Sequence, residues 1–419
     1  MAVLGGGTVG SEVIRAFDTV AERLETTGGP RLELVGIAVR HLGGARPAWI
    51  DEGLLTDAPA HLVAAPDTDI IVELMGGDEP ARTLIAAALG AGKAVVTANK
   101  HVIAHHGPAL EAVARRTGAP LRFEAAVGGG IPVLGPIASD LAANRISRIR
   151  GIVNGTTNYI LSEMATHSRE YAQALEAAQA AGYAEADPSG DVEGMDAANK
   201  LAILCRLAFG VWFDPDLIAR RPPTVGGQGP PGITTVSREA VAGAAALGGA
   251  IKLVADTRRS DDGRVMASVL PTLVPLQDPL ARVGGVTNRI EVKGEPVGNL
   301  AFTGPGAGGA ATSSAVLGDV LAIARGGGST WAGLPPAEAT GEAPADGPGS
   351  AHDRGWFAVL AGVDGASTAD DRIEVANIPG GIAVHAPRQS LAEMRRLLAA
   401  VGGSPEVVVY PADERAART

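Results

Sequence analysis

Apolar residues at Val9, Val13, Phe17, Val20 and Leu24 recur at helical spacing through SEVIRAFDTVAERLE, and TTGGP ends the helix they predict. A very short apolar strand precedes this helix, and the run LELVGIAVR follows it as a second parallel strand, completing a βαβ unit. The alternation continues with TDIIVELMGG, KAVVTANK and LRFEAAV as strands and EPARTLIAAALGAG and HGPALEAVARRTG as helices between them. Strands that alternate with helices predict an open, mostly parallel α/β sheet over residues 1–130.

From residue 131 the pattern changes to α+β. GGGIPVLGPI opens a helix with Pro132 in its first turn, and ISRIRGIV alternates as a half-buried strand. That strand runs into NGTTNYILSEM, where Thr156 and Thr157 read as helix caps. ARRPPTVGGQGPPG is a loop; ITTVSREAVAGAAALGGAIKLVADT reads as helix then strand, and VMASVLPTLV, NRIEVKG and LAFTGPGAGG as sheet. The predicted second domain spans 131–304, and the helix in 305–325 returns the chain to the first. Residues 326–350 have the composition of a flexible linker, and 351–419 read as a small tail domain of strands, one amphipathic helix and a last strand.

The stretch Gly182 to Lys200 departs from these patterns. Five carboxylates, Glu185, Asp187, Asp191, Glu193 and Asp196, stand ahead of Lys200, after which the chain turns apolar as LAILCRLAF. Asp191 reads as the N-cap of a helix starting at Val192, with Asp196 and Lys200 four apart on one face. An ammonium at the mouth of a buried helix is costly unless it is paired or employed in chemistry. The alternative is an acidic first turn with one surface ion pair.

Composition narrows the function. A formal charge of −11 without a basic stripe argues against nucleic acid or an anionic membrane as partner. Cys205 is the only cysteine, so neither a disulfide framework nor a cysteine-based metal cluster is expected. No apolar run reaches the length of a membrane span, and no signal-peptide pattern follows Met1, which places the protein in the cytosol.

Gly5, Gly7 and Gly10 form G-x-G-x-x-G between the first strand and helix. In that setting the pattern predicts a Rossmann-type site, with the N–H groups around Thr8 and Val9 aimed at a pyrophosphate. The second strand ends in Arg40, with Arg46 a little further on, where an NAD site usually has an acid; arginine suits a 2′-phosphate and favours NADP. Lys100 follows a strand at the edge where ligands bind in such folds, and is either a second cation of that cleft or a solvated lysine. His101, His105 and His106 show no metal-ligand spacing with acidic partners in the sequence. Glu124 is either a strand carboxylate satisfied by backbone N–H groups or an oxygen ligand for a hard cation. Reduction of a carbonyl with a nicotinamide needs a proton for the oxygen, and Lys200, positioned by Asp196, is the candidate donor. Glu185 and Asp191 could then bind a substrate ammonium.

GGGTVG, TANK, FEAAVGGGIP, NGTTNYIL, GYAEADPSGDVEGMDAANK and GPGAGG occur in this order up to about Arg325, and in them the chain resembles the homoserine dehydrogenases. The resemblance implies an NAD(P)-binding domain, a catalytic and dimerisation domain, a homodimer, and reversible reduction of L-aspartate 4-semialdehyde to L-homoserine in threonine and methionine biosynthesis. By the same resemblance Lys200 is the proton donor, Glu185 binds substrate, Asp191 and Asp196 stand beside them, and Lys100 is the second cleft lysine. Gly182 and Gly308 would approach the cofactor and Thr156 the substrate. Glu124, with the carbonyls of Val127, Gly129 and Ile131, would hold a monovalent cation such as sodium.

Two departures stand out. Only DGASTADD separates the first two tail strands, too short for the first helix of a regulatory ACT domain, so the tail is at most ACT-like and threonine feedback is not expected. The first strand is unusually short, which implies a late start or a trimmed sheet edge. Rival readings are a cysteine-dependent semialdehyde dehydrogenase, a non-catalytic NADP-binding sensor, and a relative acting on a modified semialdehyde.

Overall fold

The computed structural model describes residues 1–44, 47, 49–260, 262–337, 354–363, 373–401 and 403–413. Arg46 therefore lies outside the described residues. The first layer runs β1 (Ala2–Leu4), α1 (Thr8–Thr26), β2 (Gly36–Ala38), β3 (Leu55–Thr56), α2 (Pro59–Ala64), β4 (Ile70–Glu73), α3 (Ala81–Gly90), β5 (Ala94–Thr97), α4 (Lys100–Thr117) and β6 (Leu121–Arg122). Its six strands are parallel in the order β3-β2-β1-β4-β5-β6, the doubly wound arrangement that binds dinucleotides where the strand order reverses. β1 is short, but it is not an edge: Ala2 pairs with Gly36 of β2 on one side and Ile71 of β4 on the other.

The second layer follows with α5 (Leu134–Ala138), β7 (Arg145–Ile152), α6 (Gly155–His167), α7 (Tyr171–Ala180), α8 (Ser189–Val192), α9 (Met195–Phe209), α10 (Arg238–Ala246), β8 (Gly249–Arg259), β9 (Val265–Pro275), β10 (Thr287–Glu295) and β11 (Gly298–Pro305). The next helix, α11 (Gly309–Ala324), buries Val316, Leu317 and Val320 against the first layer, as its pattern predicts. The tail comprises β12 (Arg354–Ala361), β13 (Glu374–Ile378), β14 (Gly381–Gln389), α12 (Leu391–Ala400) and β15 (Val409–Ala412). Residues 364–372, where an ACT domain would need its first helix, lie outside the described residues.

Two expectations about this half change. Residues 326–337 do not behave as a free linker, because they cover the exposed edge of β6. Ser329 and Thr330 hydroxyls accept from the N–H groups of Leu121 and Phe123 at 3.1 Å each, and Trp331 is buried against Phe123. An edge strand needs such partners for its unpaired backbone groups. The remainder of the expected linker, 338–350, lies outside the described residues. The tail is also not a detached unit: β15 pairs parallel with β9 through Ala412 and Leu273, giving one sheet of nine strands among the described residues. Asp413 fastens the junction by accepting from Arg148 at 3.2 Å and Arg150 at 2.8 Å.

Between the layers, α4 and α9 lie side by side around a buried ion pair. Arg206, fully buried, donates to both oxygens of Glu111 at 2.9 and 2.6 Å, and Trp212 Nε1 donates to the same carboxylate at 2.9 Å. Burial alone would raise the Glu111 pKa, but the bonds from Arg206, Trp212 and Arg115 outweigh it and lower the value.

Candidate active site

The acidic stretch folds differently from its reading as one capped helix. Asp191 is not an N-cap; it lies inside the single turn α8, and Gly194, in the left-handed region at φ 82°, separates that turn from α9. The break turns Asp191 back towards Asp196. Their link is Asn154, whose Nδ2 donates to Asp191 Oδ1 at 2.7 Å and to Asp196 Oδ2 at 2.9 Å. Asn154 is also the true cap of α6, accepting from Thr157 N at 2.8 Å, a role expected for Thr156 or Thr157. An asparagine directly ahead of GTT was the available signal for it.

Lys200 lies one turn into α9, and its Nζ donates to Asp196 Oδ2 at 2.6 Å and to the Val153 carbonyl at 2.7 Å. The other carboxylate oxygen of Asp196 lies 2.8 Å from Lys100 Nζ. One carboxylate thus faces two ammonium groups, with Asp196 and Lys200 both buried and Lys100 half-buried. Burial opposes the charge on Asp196, but Lys200 and Lys100 hold it ionised, well below the usual carboxylate range. For Lys200 burial dominates, and with the like charge of Lys100 it overcomes Asp196, so the pKa falls below that of an ordinary lysine. Lys100 shifts the opposite way, raised chiefly by Asp196. Burial, then Asp196, raises Asp191.

The residues expected to bind substrate lie around this cluster. Thr156, in the first turn of α6, donates to the Tyr183 carbonyl at 2.8 Å and so anchors the loop that carries Gly182 and Glu185. Glu185 is exposed on that loop, and its charge acts on Lys100. Asp187 and Glu193 are local: Asp187 accepts from Ser189 N, and Glu193 ends α8.

Lys100 owes its place to a chain of polar residues at the carboxyl edge of the first sheet. Buried Glu73 accepts from Thr97 Oγ1 at 2.6 Å and from Met75 N at 2.7 Å, Thr97 accepts from Asn99 N at 2.9 Å, and Asn99 caps α4 through Val102 N at 3.2 Å. Glu73 and Thr97 escape sequence reasoning because they read as ordinary strand residues.

The glycine turn lies at the same sheet edge and fits a dinucleotide. Gly5 has φ +117°, and a Cβ there would be 2.5 Å from the Leu74 carbonyl oxygen; a Cβ on Gly10 would be 1.8 Å from that of Gly5. Only glycine allows this packing of α1 on the turn. A Cβ at Gly7 would meet nothing within 4 Å, so the N-terminus of α1, with Thr8 and Val9 in its first turn, opens onto free space. Gly308 begins α11, and a Cβ on its neighbour Gly309 would lie 3.0 Å from the Thr8 carbonyl oxygen, which brings GPGAGG to the same place. Arg40 is exposed, two residues past β2.

The Glu124 carboxylate accepts from the N–H groups of Val133, Leu134 and Gly135 at 2.7, 2.8 and 2.7 Å, and so caps α5. Among the described residues, the carbonyls of Val127, Gly129 and Ile131 accept no hydrogen bond. Cys205 is buried, bonded to Thr257, and its thiol is pushed up to about 12 by burial, which removes the nucleophile of the cysteine-dependent alternative.

A doubly wound dinucleotide domain whose ligand edge meets a lysine–carboxylate–lysine cluster defines an NAD(P)-dependent oxidoreductase acting on a CH–OH group. Residues 5–124 match the homoserine dehydrogenase NAD binding domain, and residues 132–321 match the family model of homoserine dehydrogenase itself. The homoserine dehydrogenase of Mycobacterium tuberculosis is 48% identical over 329 residues, 78% of this chain and 72% of that protein. The crystal structure of a homoserine dehydrogenase from Thiobacillus denitrificans superposes with a TM-score of 0.84 at 33% identity, covering 99% of this chain and 97% of the other. A hyperthermophilic archaeal homoserine dehydrogenase in complex with NADPH superposes at 0.62, with 28% identity over 77% of this chain and 96% of the other. The chain belongs to the homoserine dehydrogenase family.

Proposed function

We propose that this protein reversibly reduces L-aspartate 4-semialdehyde to L-homoserine, with Lys200 as the proton donor. The observation that carries this reading is the single buried carboxylate of Asp196 between Lys200 and Lys100 at the ligand edge of the cofactor sheet. The chemistry a reduced nicotinamide supplies when bound is a hydride equivalent for the carbonyl carbon. An ammonium has three N–H donors, and Lys200 commits two of them, to Asp196 and Val153. The third is left for the substrate oxygen, where Lys200 stabilises developing negative charge and then gives up its proton. In the reverse direction neutral Lys200 takes the alcohol proton. Its lowered pKa suits both roles.

Glu185 and Asp191 receive the substrate ammonium, Thr156 a polar group of the substrate, and Lys100 the carbonyl oxygen or the carboxylate. Gly5, Gly7, Thr8, Val9, Gly10, Gly182 and Gly308 hold the cofactor, and Arg40 selects NADP through its 2′-phosphate. The unpaired carbonyls of Val127, Gly129 and Ile131, with the lone pair left on Glu124, suit a monovalent cation such as sodium. The enzyme works as a cytoplasmic homodimer in threonine and methionine biosynthesis. Among the described residues, no helix is long and apolar enough to cross a membrane. A sensor without turnover would have no use for two cations paired to one carboxylate, one of them buried. The test is NADPH consumption with aspartate semialdehyde and NADP reduction with homoserine; cofactor binding without either reaction would contradict the proposal.

A further inference from the structure

Helix α4 carries three histidines in its first two turns that the chemistry of Lys100 does not use. His106 is engaged, with Nε2 2.7 Å from Asp78 Oδ1. His101 and His105 lie one turn apart on the same face, their ring centroids 4.3 Å from each other. The chain after α9 folds back onto this face. Trp212 occupies the space that Gly107 leaves, since a Cβ there would be 2.4 Å from the indole, and the next turn begins at Asp214. Asp214 Oδ1 accepts from Asp216 N at 2.9 Å, and both carboxylates are exposed. One ring nitrogen of His105 and one oxygen from each of Asp214 and Asp216 lie within 4.8 Å of one another. His105 Nε2 is closed to solvent and has no hydrogen-bond partner among the described residues.

We infer that His105, Asp214 and Asp216 form a binding site for a divalent cation of the zinc class, with solvent completing its coordination. One imidazole with two carboxylates is a nitrogen–oxygen donor set, which suits zinc better than magnesium or calcium, whose sites are built from oxygen alone. Zinc bonds of about 2.0–2.2 Å place tetrahedral donors roughly 3.5 Å apart. Closing the cluster to that spacing takes on the order of 1 Å of movement from exposed carboxylates that nothing in the core restrains. Among the described residues no other three such side chains converge in this way. A bound ion would tie α4, which begins with Lys100, to the segment that leaves α9, which carries Asp196 and Lys200. The sequence hides this site because the acidic partners come from about a hundred residues further along the chain.

The test is calorimetric titration of zinc chloride into the chelator-treated full-length protein. The expected result is one site per chain, weakened at least tenfold by His105→Ala and by the double change Asp214→Asn, Asp216→Asn. Lys200→Ala should leave zinc affinity unchanged, which separates this site from the acidic cluster around the active site. The aspartate pair is exposed and the amide at position 214 keeps a capping oxygen, so that variant carries the test even if His105→Ala loosens α4. Cobalt(II) in place of zinc should give visible absorption bands that the double variant loses. No zinc binding by the parent protein, or equal affinity in the parent and both variants, would overturn the inference.

Discussion

Lys200 and Asp196 meet at 2.6 Å across one turn of α9, yet they are not an isolated pair, because Asp196 also holds Lys100 at 2.8 Å. Two cations share one anion, so the more deeply buried cation loses affinity for its proton. The consequence is a pH dependence of definite sign. Reduction needs charged Lys200, so its kcat falls as pH rises through a pKa below the ordinary lysine value of 10.5, and oxidation of the alcohol rises over the same interval. Asp196→Asn removes the group that favours the charged form. That change should move both limbs to lower pH and cut kcat for reduction by about ten- to a hundredfold at neutral pH. Unmoved pH profiles in the variant would show that Asp196 does not set the Lys200 pKa.

Arg40 stands two residues beyond β2, where an acidic side chain would hold ribose hydroxyls. Replacing it by Asp should lower kcat/KM for NADP by about ten- to a hundredfold, through loss of a charge-assisted contact, while NAD is spared. Steady-state kinetics with both cofactors measure this. An unchanged ratio would mean that Arg40 does not read the 2′-phosphate.

The Glu111 carboxylate is the only anion paired with buried Arg206 among the described residues. Glu111→Ala should therefore destabilise the protein by about 3–5 kcal/mol, because removing one partner strands the other as an uncompensated buried charge. Chemical denaturation of parent and variant checks this, and a loss below about 1 kcal/mol would point to an ion pair of the solvated kind.

Local regularity was legible in the sequence; long-range pairing was not. The alternation of strands and helices foretold the parallel sheet, since periodicity records which face is buried. The positions of Lys100 and Asp196 were legible because each falls at an element boundary, and that of Lys200 because the chain turns apolar directly after it. The role of Asn154 is not legible in the sequence, because it depends on Asp191 and Asp196, about forty residues away. The glycine-rich run after Arg325 looked like linker, although Ser329, Thr330 and Trp331 cover the edge of β6; composition carries no record of which strand edge needs covering. The parallel pairing of β15 with β9 was hidden for the same reason.

The most direct measurement is single-turnover and steady-state turnover of Lys200→Ala with NADPH and aspartate semialdehyde, alongside a fluorescence titration of NADPH binding. The account predicts a loss of turnover of about 10²–10⁴-fold with cofactor affinity largely intact. Near-normal turnover in that variant would contradict the assignment of Lys200 as the proton donor.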